Sequence, residues 1–224
     1  MHFHAVSAHF GGPRPWTHYL SSSESLSSHY YDDRNTPSRH NAMHPRLKTK
    51  IPKMLEWMNT EADWYIWMDS SIRLNDGIDL PKAVMQISQG KSLCLFRHSA
   101  HSSIQQEAQV AQQAMLQGLT YHLNRYSGEP LASQVENYLS DQSFKDNKLF
   151  EMTFFAYHRS AAPLMQEWFM HNCLWSIEDQ ISFPYVLHKS GLEYSCFEGS
   201  VCKNEYFTWD WQAREKSLLR HQAT

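Results

Sequence analysis

The stretch Trp64-Tyr65-Ile66-Trp67-Met68-Asp69-Ser70-Ser71 carries most of the information about the fold. Its run of large apolar residues follows an acidic turn and predicts a short strand buried on both faces. Asp69 comes where that strand ends. In open α/β sheets, ligands bind beyond the carboxyl ends of the strands. Asp69 is therefore a candidate ligand residue, although a turn or a helix cap is the commoner role for an Asp in this position.

Apolar runs and amphipathic segments alternate on both sides of this strand. Further strands are predicted over 2–8, 93–96 and 150–157, and helices over 46–60, 80–89, 103–126, from Pro163 to Cys173, and in a short segment after Gln180. Buried strands that alternate with helices predict an α/β fold, in which helices flank a central sheet. No internal repeat or linker divides the chain, so residues 1–224 are interpreted as a single domain.

Three segments of this domain have a character of their own. Residues 1–12 are predicted to form the first strand and its loop, and residues 203–224 an aromatic and then charged tail. Residues 13–45 are rich in Ser, Pro, His and Asn and are predicted to form one long polar loop. A loop of this length inside a compact domain is usually functional or mobile.

Composition excludes several classes of protein. Hydrophobic residues make up 42% of the chain and charged residues 19%, which excludes a mainly disordered protein. The formal net charge of −3 argues against nucleic-acid binding by bulk charge. Neither of the usual glycine-rich phosphate loops is present, and the four cysteines form no C-x-x-C pair.

The same scan gives an expectation about location. The first residues lack the basic start and apolar core of a signal peptide, and no window approaches the length of a membrane span. A cytoplasmic protein with reduced cysteines is therefore expected.

Basic residues cluster around the start of the helix predicted over 46–60. Arg39, Arg46, Lys48 and Lys50 stand within twelve residues. Such a cluster can balance a pyrophosphate, because Arg binds phosphate bidentately and Lys acts as a point charge. A solvated helix face is an equally good interpretation.

Two histidines follow the strand predicted over 93–96. His98 and His101 are three residues apart, and Glu107 stands in the next helix. They are candidate ligands or hydrogen-bond donors, with two polar loop residues as the commoner alternative. A zinc site has weak support, because no third ligand has a diagnostic spacing.

Two carboxylates complete the set of candidates. Asp179 stands at the predicted start of a helix, where it would be a cap worth about 1 kcal/mol or a carboxylate that faces a cleft. Glu151 leads into an apolar strand and is either an edge residue or a site residue.

These pieces, in this order, resemble the glycosyltransferase-like family first catalogued as domain of unknown function 616, which includes plant pectin- and mucilage-related proteins and many bacterial and phage proteins. The matching stretches span most of residues 5–190: Ala8 to Gly12, Arg46 to Met54, Trp64 to Ser71, Leu95 to His98, Glu107-Ala108, Tyr121, Arg125-Tyr126, Leu149 to Glu151 and Asp179 to Val186.

The resemblance implies a GT-A-like nucleotide-sugar-binding fold, with a mixed central sheet flanked by helices. It implies a hexosyltransferase-like enzyme that moves a sugar from a nucleotide-diphosphate sugar, with a UDP-sugar favoured, to an unknown acceptor hydroxyl on a glycan or small molecule. On this basis Asp179 and Glu151 are the candidate catalytic residues. The candidate donor-binding residues are Arg39, Arg46, Lys48, Lys50, Asp69, Ser71, His98 and Gln180.

The acidic motif Asp69-Ser70-Ser71 departs from the family pattern, since it lacks the second Asp of the usual D-x-D pair. A Mn2+ or Mg2+ cofactor would rest on Asp69 alone, or on Asp69 with a distant His. That departure keeps a non-catalytic carbohydrate-binding or nucleotide-sugar-binding protein as one alternative. A phage-type nucleic-acid base glycosyltransferase is the other, and the net charge of −3 counts against it.

Overall fold

A computed structural model describes residues 1–11 and 23–209. The strands are β1 (Phe3–Ala8), β2 (Leu26–Tyr31), β3 (Trp64–Met68), β4 (Ile72–Leu74), β5 (Leu93–Arg97), β6 (Phe150–His158), β7 (Ser195–Cys196) and β8 (Phe207–Trp209). The α-helices are α1 (Pro45–Leu55), α2 (Leu80–Ser88), α3 (Ile104–Leu116), α4 (Thr120–Tyr126), α5 (Leu131–Leu139), α6 (Ala162–Leu174) and α7 (Asp179–Ser190). None of the described helices is long and apolar enough to cross a bilayer.

The central sheet is mixed. Its strand order is β2-β1-β3-β6-β5-β7, and β4 pairs with β8 in a separate two-stranded sheet. β1 runs parallel to β2 and β3, whereas β6 runs antiparallel to both β3 and β5. The carboxyl ends of β1, β3 and β5 therefore meet at one edge of the sheet, together with the start of β6. The predicted α/β fold with a mixed sheet flanked by helices is confirmed.

Strand β3 separates two apolar cores. Tyr65 and Trp67 point to the face covered by α1, α6 and α7, whereas Trp64, Ile66 and Met68 belong to the core on the opposite face. All five residues of β3 are buried. A third core holds the helices α3, α4 and α5 against α7.

The prediction of one long polar loop over 13–45 is wrong in its second half. Residues 12–22 lie outside the described part of the chain, but β2 pairs with β1 over its whole length. Only Leu26 of β2 is buried. A strand at the edge of a sheet can stay polar because one side is solvated, so its sequence lacks the apolar alternation used to find strands.

The long helix predicted over 103–126 is two helices. Gly118 adopts a φ of 75°, which ends α3 and lets the chain turn into α4. α5 was not predicted, and α7 has twelve residues where a short segment was expected. Within the predicted tail, β8 pairs with β4, and residues 210–224 lie outside the described chain.

Candidate active site

A cleft of about 710 Å³ opens at the sheet edge where β1, β3 and β5 end and β6 begins. Side chains from α1, α3, α4 and the start of α7 surround it. Of the sequence-predicted site residues, the cleft is lined by Arg46, Lys50, Asp69, Ser71, His98, Glu151, Asp179 and Gln180.

One face of α1 forms part of the lining. Arg46, Lys50 and Lys53 all line the cleft, and they stand at the i, i+4 and i+7 positions of the helix. Residues with that spacing share a face. Lys53 was not selected from the sequence, although the helix period links it to Lys50.

The other two predicted basic residues do not line the cleft. Lys48 lies on another face of α1, where its ammonium donates to Asp33 Oδ1 at 2.8 Å and lies 4.4 Å from the centre of the Phe10 ring. Arg39 is exposed in the short 3-10 helix Ser38–Ala42. The donor-binding role predicted for these two residues has no support from their positions.

Asp179 joins two of the cleft lysines. Its Oδ2 atom lies 2.6 Å from the Nζ atoms of both Lys50 and Lys53, and all three side chains are buried. Burial alone would raise the pKa of the Asp179 carboxyl, but the nearby charges of Lys50, Lys53 and Arg125 hold it well below its usual range. Two ammonium groups therefore share one carboxylate, which leaves an excess of positive charge at this point of the cleft.

The helix cap predicted at Asp179 belongs to its neighbour. The Glu178 side chain accepts from the Gln180 backbone N–H and caps α7, and Asp179 is the first residue of the helix. The carboxylate of Asp179 is thereby available to the lysines of α1.

Lys50 carries the clearest electrostatic signature. Burial is the main cause that lowers its pKa to about 8, and the charges of Lys53 and Arg125 act in the same direction. Asp179 opposes them. An ammonium group in this state gains strongly from an added anion.

Arg125 brings a fourth cation to the cleft. Its Nη2 atom lies 3.2 Å from Glu178 Oε2, which also accepts from the Tyr126 hydroxyl. Its buried Nε–H group has no hydrogen-bond partner among the described residues. Because its guanidinium charge lines the cleft, Arg125 is suited to bind an anion. One feature of the sequence points to Arg125: it stands four residues after Tyr121, so a helix places the two on one face.

Asp69 follows β3 and lines the cleft. Its Oδ1 accepts from Trp67 Nε1 at 2.8 Å, and its backbone N–H donates to Thr153 on β6. Ser71 lies beside it and accepts from Trp209 Nε1 at 3.1 Å. The carboxylate thus stands at the carboxyl end of the central strand, where the sequence placed it.

A cation at Asp69 would have few protein ligands. Within the described ranges, three side chains of types that can bind a metal lie close together, namely His98, His101 and Glu107, and Asp69 is not part of this group. Mg2+ accepts one carboxylate when substrate phosphates and water complete its shell. Asp69 therefore offers one carboxylate ligand to a divalent cation.

Glu151 uses both of its oxygens to hold loops. Oε1 accepts from the Ser99 backbone N–H at 3.2 Å and from the Ser99 hydroxyl at 2.8 Å, and Oε2 accepts from the Val201 N–H at 2.6 Å. The carboxylate ties the loop after β5 to the segment after β7.

The loop after β5 also brings three titratable groups together. His101 Nδ1 lies 2.8 Å from Glu107 Oε2, and His98 Nε2 lies 3.8 Å from the same oxygen. The two imidazole rings are stacked with centroids 4.8 Å apart. Burial is the main cause that lowers the pKa of His98. Both His98 and Glu107 line the cleft.

Most of the chain matches a known protein family. The TOD1/MUCI70, glycosyltransferase-like domain matches residues 38–208, which include α1, β3 and most of the cleft-lining segments. The chain belongs to this family. The family resemblance found in the sequence is confirmed, and this TOD1/MUCI70 domain has a glycosyltransferase-like function.

One solved structure shares the fold of the TOD1/MUCI70 chain. A glycosyltransferase involved in the glycosylation of the major capsid of PBCV-1 has a TM-score of 0.51 at 9% identity, with 97% of this chain and 100% of that chain covered. A197 from STIV has a TM-score of 0.42 at 11% identity, with 92% and 83% covered. No curated protein sequence matches the chain.

Proposed function

We propose that this TOD1/MUCI70 chain transfers a sugar from a nucleotide-diphosphate sugar, in the first instance a UDP-sugar, to an acceptor hydroxyl. The family supports sugar transfer as the reaction. The observation that carries the choice of donor is the pair of lysines, Lys50 and Lys53, that shares one oxygen of Asp179 inside the cleft.

The diphosphate fits the cations of the cleft, which we call the basic wall: Arg46, Lys50, Lys53 and Arg125. A charge-assisted contact is worth about 1.5–3 kcal/mol. As the bond to the sugar breaks, negative charge grows on the departing diphosphate. Fixed cations in a partly buried cleft stabilise that charge more than water does. The basic wall thus serves both donor binding and leaving-group departure.

Asp179 acts, in this proposal, as the counterion that holds the two lysines in place. A carboxylate between two ammonium groups is a weak proton acceptor, because its pKa is held low. Glu151 likewise supports the site by joining two loops. The catalytic roles predicted for both residues from the sequence stay predictions, and the geometry favours these supporting roles.

Asp69, Ser71, His98 and Gln180 complete the proposed donor site around the basic wall. Mn2+ or Mg2+ at Asp69 would add charge neutralisation at the diphosphate. Asp69→Asn should then remove any Mn2+ dependence of donor binding, and EDTA should weaken donor binding to the wild type alone. Equal affinity of both proteins with and without EDTA would mean that the basic wall binds the diphosphate without a metal.

A thermal-shift panel tests the proposed function. UDP-, GDP-, CDP- and ADP-sugars are each added with and without Mn2+, and release of the nucleoside diphosphate is then measured for those that bind. A donor at 100 times its Kd adds about 2.7 kcal/mol to the free energy of unfolding. No shift with any donor would contradict the proposal. Binding without release would favour the non-catalytic alternative.

A further inference from the structure

His98 and Glu107 line another part of the cleft, and His101 is in hydrogen-bond contact with Glu107. We call these three residues the histidine wall. It carries chemistry that the basic wall does not provide, because the lysines bind an anion and their counterion Asp179 is engaged. Sugar transfer also needs a group that removes the proton of the acceptor hydroxyl.

Hydrogen bonds fix the proton on His98. Its Nδ1 atom accepts from the backbone N–H groups of His101 at 2.8 Å and Ala100 at 3.2 Å. In a neutral imidazole the other nitrogen must then carry the proton. His98 Nε2–H is therefore a donor, and that nitrogen offers no lone pair to a metal ion. A metal-binding His normally donates through its second nitrogen, which is the opposite arrangement.

Hydrogen bonds also orient Glu107. An ionised carboxylate only accepts, so the 2.8 Å contact makes His101 Nδ1–H the donor to Oε2. The other oxygen, Oε1, accepts no hydrogen bond from any residue that the structure describes. Glu107 stands in the first turn of α3, and its side chain is 17% exposed at the cleft. It thus combines a fixed orientation with an unused acceptor.

The charged surroundings of Glu107 come from four elements. They are His98 and His101 in the loop after β5, Glu151 on β6, His122 and Arg125 on α4, and Glu178, which caps α7. Arg125 and Glu178 are paired with each other, and Glu151 is tied to Ser99 and Val201. The carboxylate with an acceptor left over in this group is Glu107.

We infer that Glu107 is the catalytic residue that removes the proton from the acceptor hydroxyl, with His101 as its positioning residue. This assignment rests on the proposed function. The O–H bond of the acceptor breaks and its proton passes to Glu107 Oε1. The acceptor oxygen bonds to the anomeric carbon of the sugar. The bond from that carbon to the diphosphate breaks, and its electron pair leaves with the diphosphate toward the basic wall.

Glu107→Gln tests this assignment, with Glu136→Gln as the matched control on the exposed face of α5. The readouts are binding of the nucleotide-sugar panel and release of nucleoside diphosphate with water as the acceptor. For Glu107→Gln we expect unchanged donor affinity and release slower by about 100- to 10,000-fold. The control should match the wild type.

The outcomes separate the two proposals. Donor binding with normal release by Glu107→Gln overturns the assignment and leaves the proposed function standing. Failure of the wild type to bind any donor overturns both. Donor binding without release by the wild type also overturns the assignment, since no group is then taking up a proton.

Two further measurements address the roles of the imidazoles. His101→Ala should lower kcat for release and leave the KM for the donor unchanged, because Glu107 loses the hydrogen bond that orients it, and His101→Asn should restore part of kcat. An unchanged kcat in His101→Ala would contradict the positioning role. In a calorimetric titration with Zn2+, the wild type and Glu107→Gln should give the same result, because Zn2+ does not bind at Glu107. One-to-one Zn2+ binding lost in that variant would make the cluster a metal site and overturn the assignment.

Discussion

The basic wall lines the same cleft as His98 and Glu107 of the histidine wall, but the two groups hold their charges differently. In the basic wall, Lys50 and Lys53 are buried and share a single carboxylate, so positive charge is in excess. In the histidine wall, Glu107 is partly exposed and uses one oxygen for His101. The comparison teaches that one side is built to bind a fixed anion and the other to exchange a proton with a ligand.

Removal of the shared carboxylate should have the largest effect. Asp179→Asn leaves two buried ammonium groups without their counterion, so we expect a loss of about 3 kcal/mol in the free energy of unfolding at pH 7. Saturating UDP should restore part of this loss, because its diphosphate supplies negative charge at the same place. Urea denaturation with and without UDP measures both effects.

Asp33→Asn is the control for this comparison. Asp33 pairs with Lys48, which lies on α1 together with Lys50 and Lys53. The Asp33 carboxylate is 51% exposed. The Lys48 ammonium is buried, but water reaches the Asp33 carboxylate. The loss should therefore be smaller than that of Asp179→Asn and independent of UDP. Equal losses in the two variants would show that the Asp179 pair has no special electrostatic role.

Loss of one lysine should weaken diphosphate binding. We expect Lys53→Ala to raise the Kd for UDP by about 10- to 150-fold, because a charge-assisted contact is removed, and to leave uridine binding unchanged. Lys48→Ala makes the same charge change on the same helix outside the cleft. Isothermal titration calorimetry compares the two. A similar Kd in both variants would place the diphosphate elsewhere.

The pKa of Lys50, lowered to about 8 by burial, makes binding pH-dependent. The protonated ammonium binds the diphosphate, so affinity for UDP should be constant between about pH 7 and 8, where the terminal phosphate stays ionised, and fall by about tenfold for each unit above pH 8. Lys50→Arg should remove the dependence in this range, since Arg stays charged. A flat wild-type profile up to pH 10 would contradict the role of Lys50.

Substitution of Gly118 should have the smallest effect. This residue lies between the elements that carry the two walls. It joins α3, which bears Glu107, to α4, which bears Arg125, and its φ is 75°. An added Cβ would meet no atom within 4 Å. Gly118→Ala should therefore cost about 1 kcal/mol through backbone strain alone. Gly118→Asn should cost less, because Asn tolerates this conformation. Thermal unfolding distinguishes them, and equal costs would contradict an origin in the left-handed conformation.

Local pattern explains what the sequence predicted well. The apolar run Trp64–Met68 is a buried strand and Asp69 lies in the cleft, because strand burial and strand ends are readable along the chain. The helical spacing of α1 also predicts that Lys50 and Lys53 share a face and that Lys48 lies on a different one. Grouping these residues by their charge alone does not separate the two faces.

Long-range contacts account for the rest. The pair between Lys53 and Asp179 joins residues 126 positions apart, and the local sequence around neither residue predicts it. The proton on His98 is set by the backbone conformation of its loop. β2 was missed for a different reason, because an edge strand with a solvated side needs few apolar residues.

A crystal structure of the chain with UDP tests the central claim most directly. The account predicts that phosphate oxygens lie within about 4 Å of the Nζ atoms of Lys50 or Lys53, the distance of an ion pair. The sugar end of the site should then open toward Glu107. Phosphates bound at Lys48 or Arg39, or anywhere outside the cleft, would contradict it.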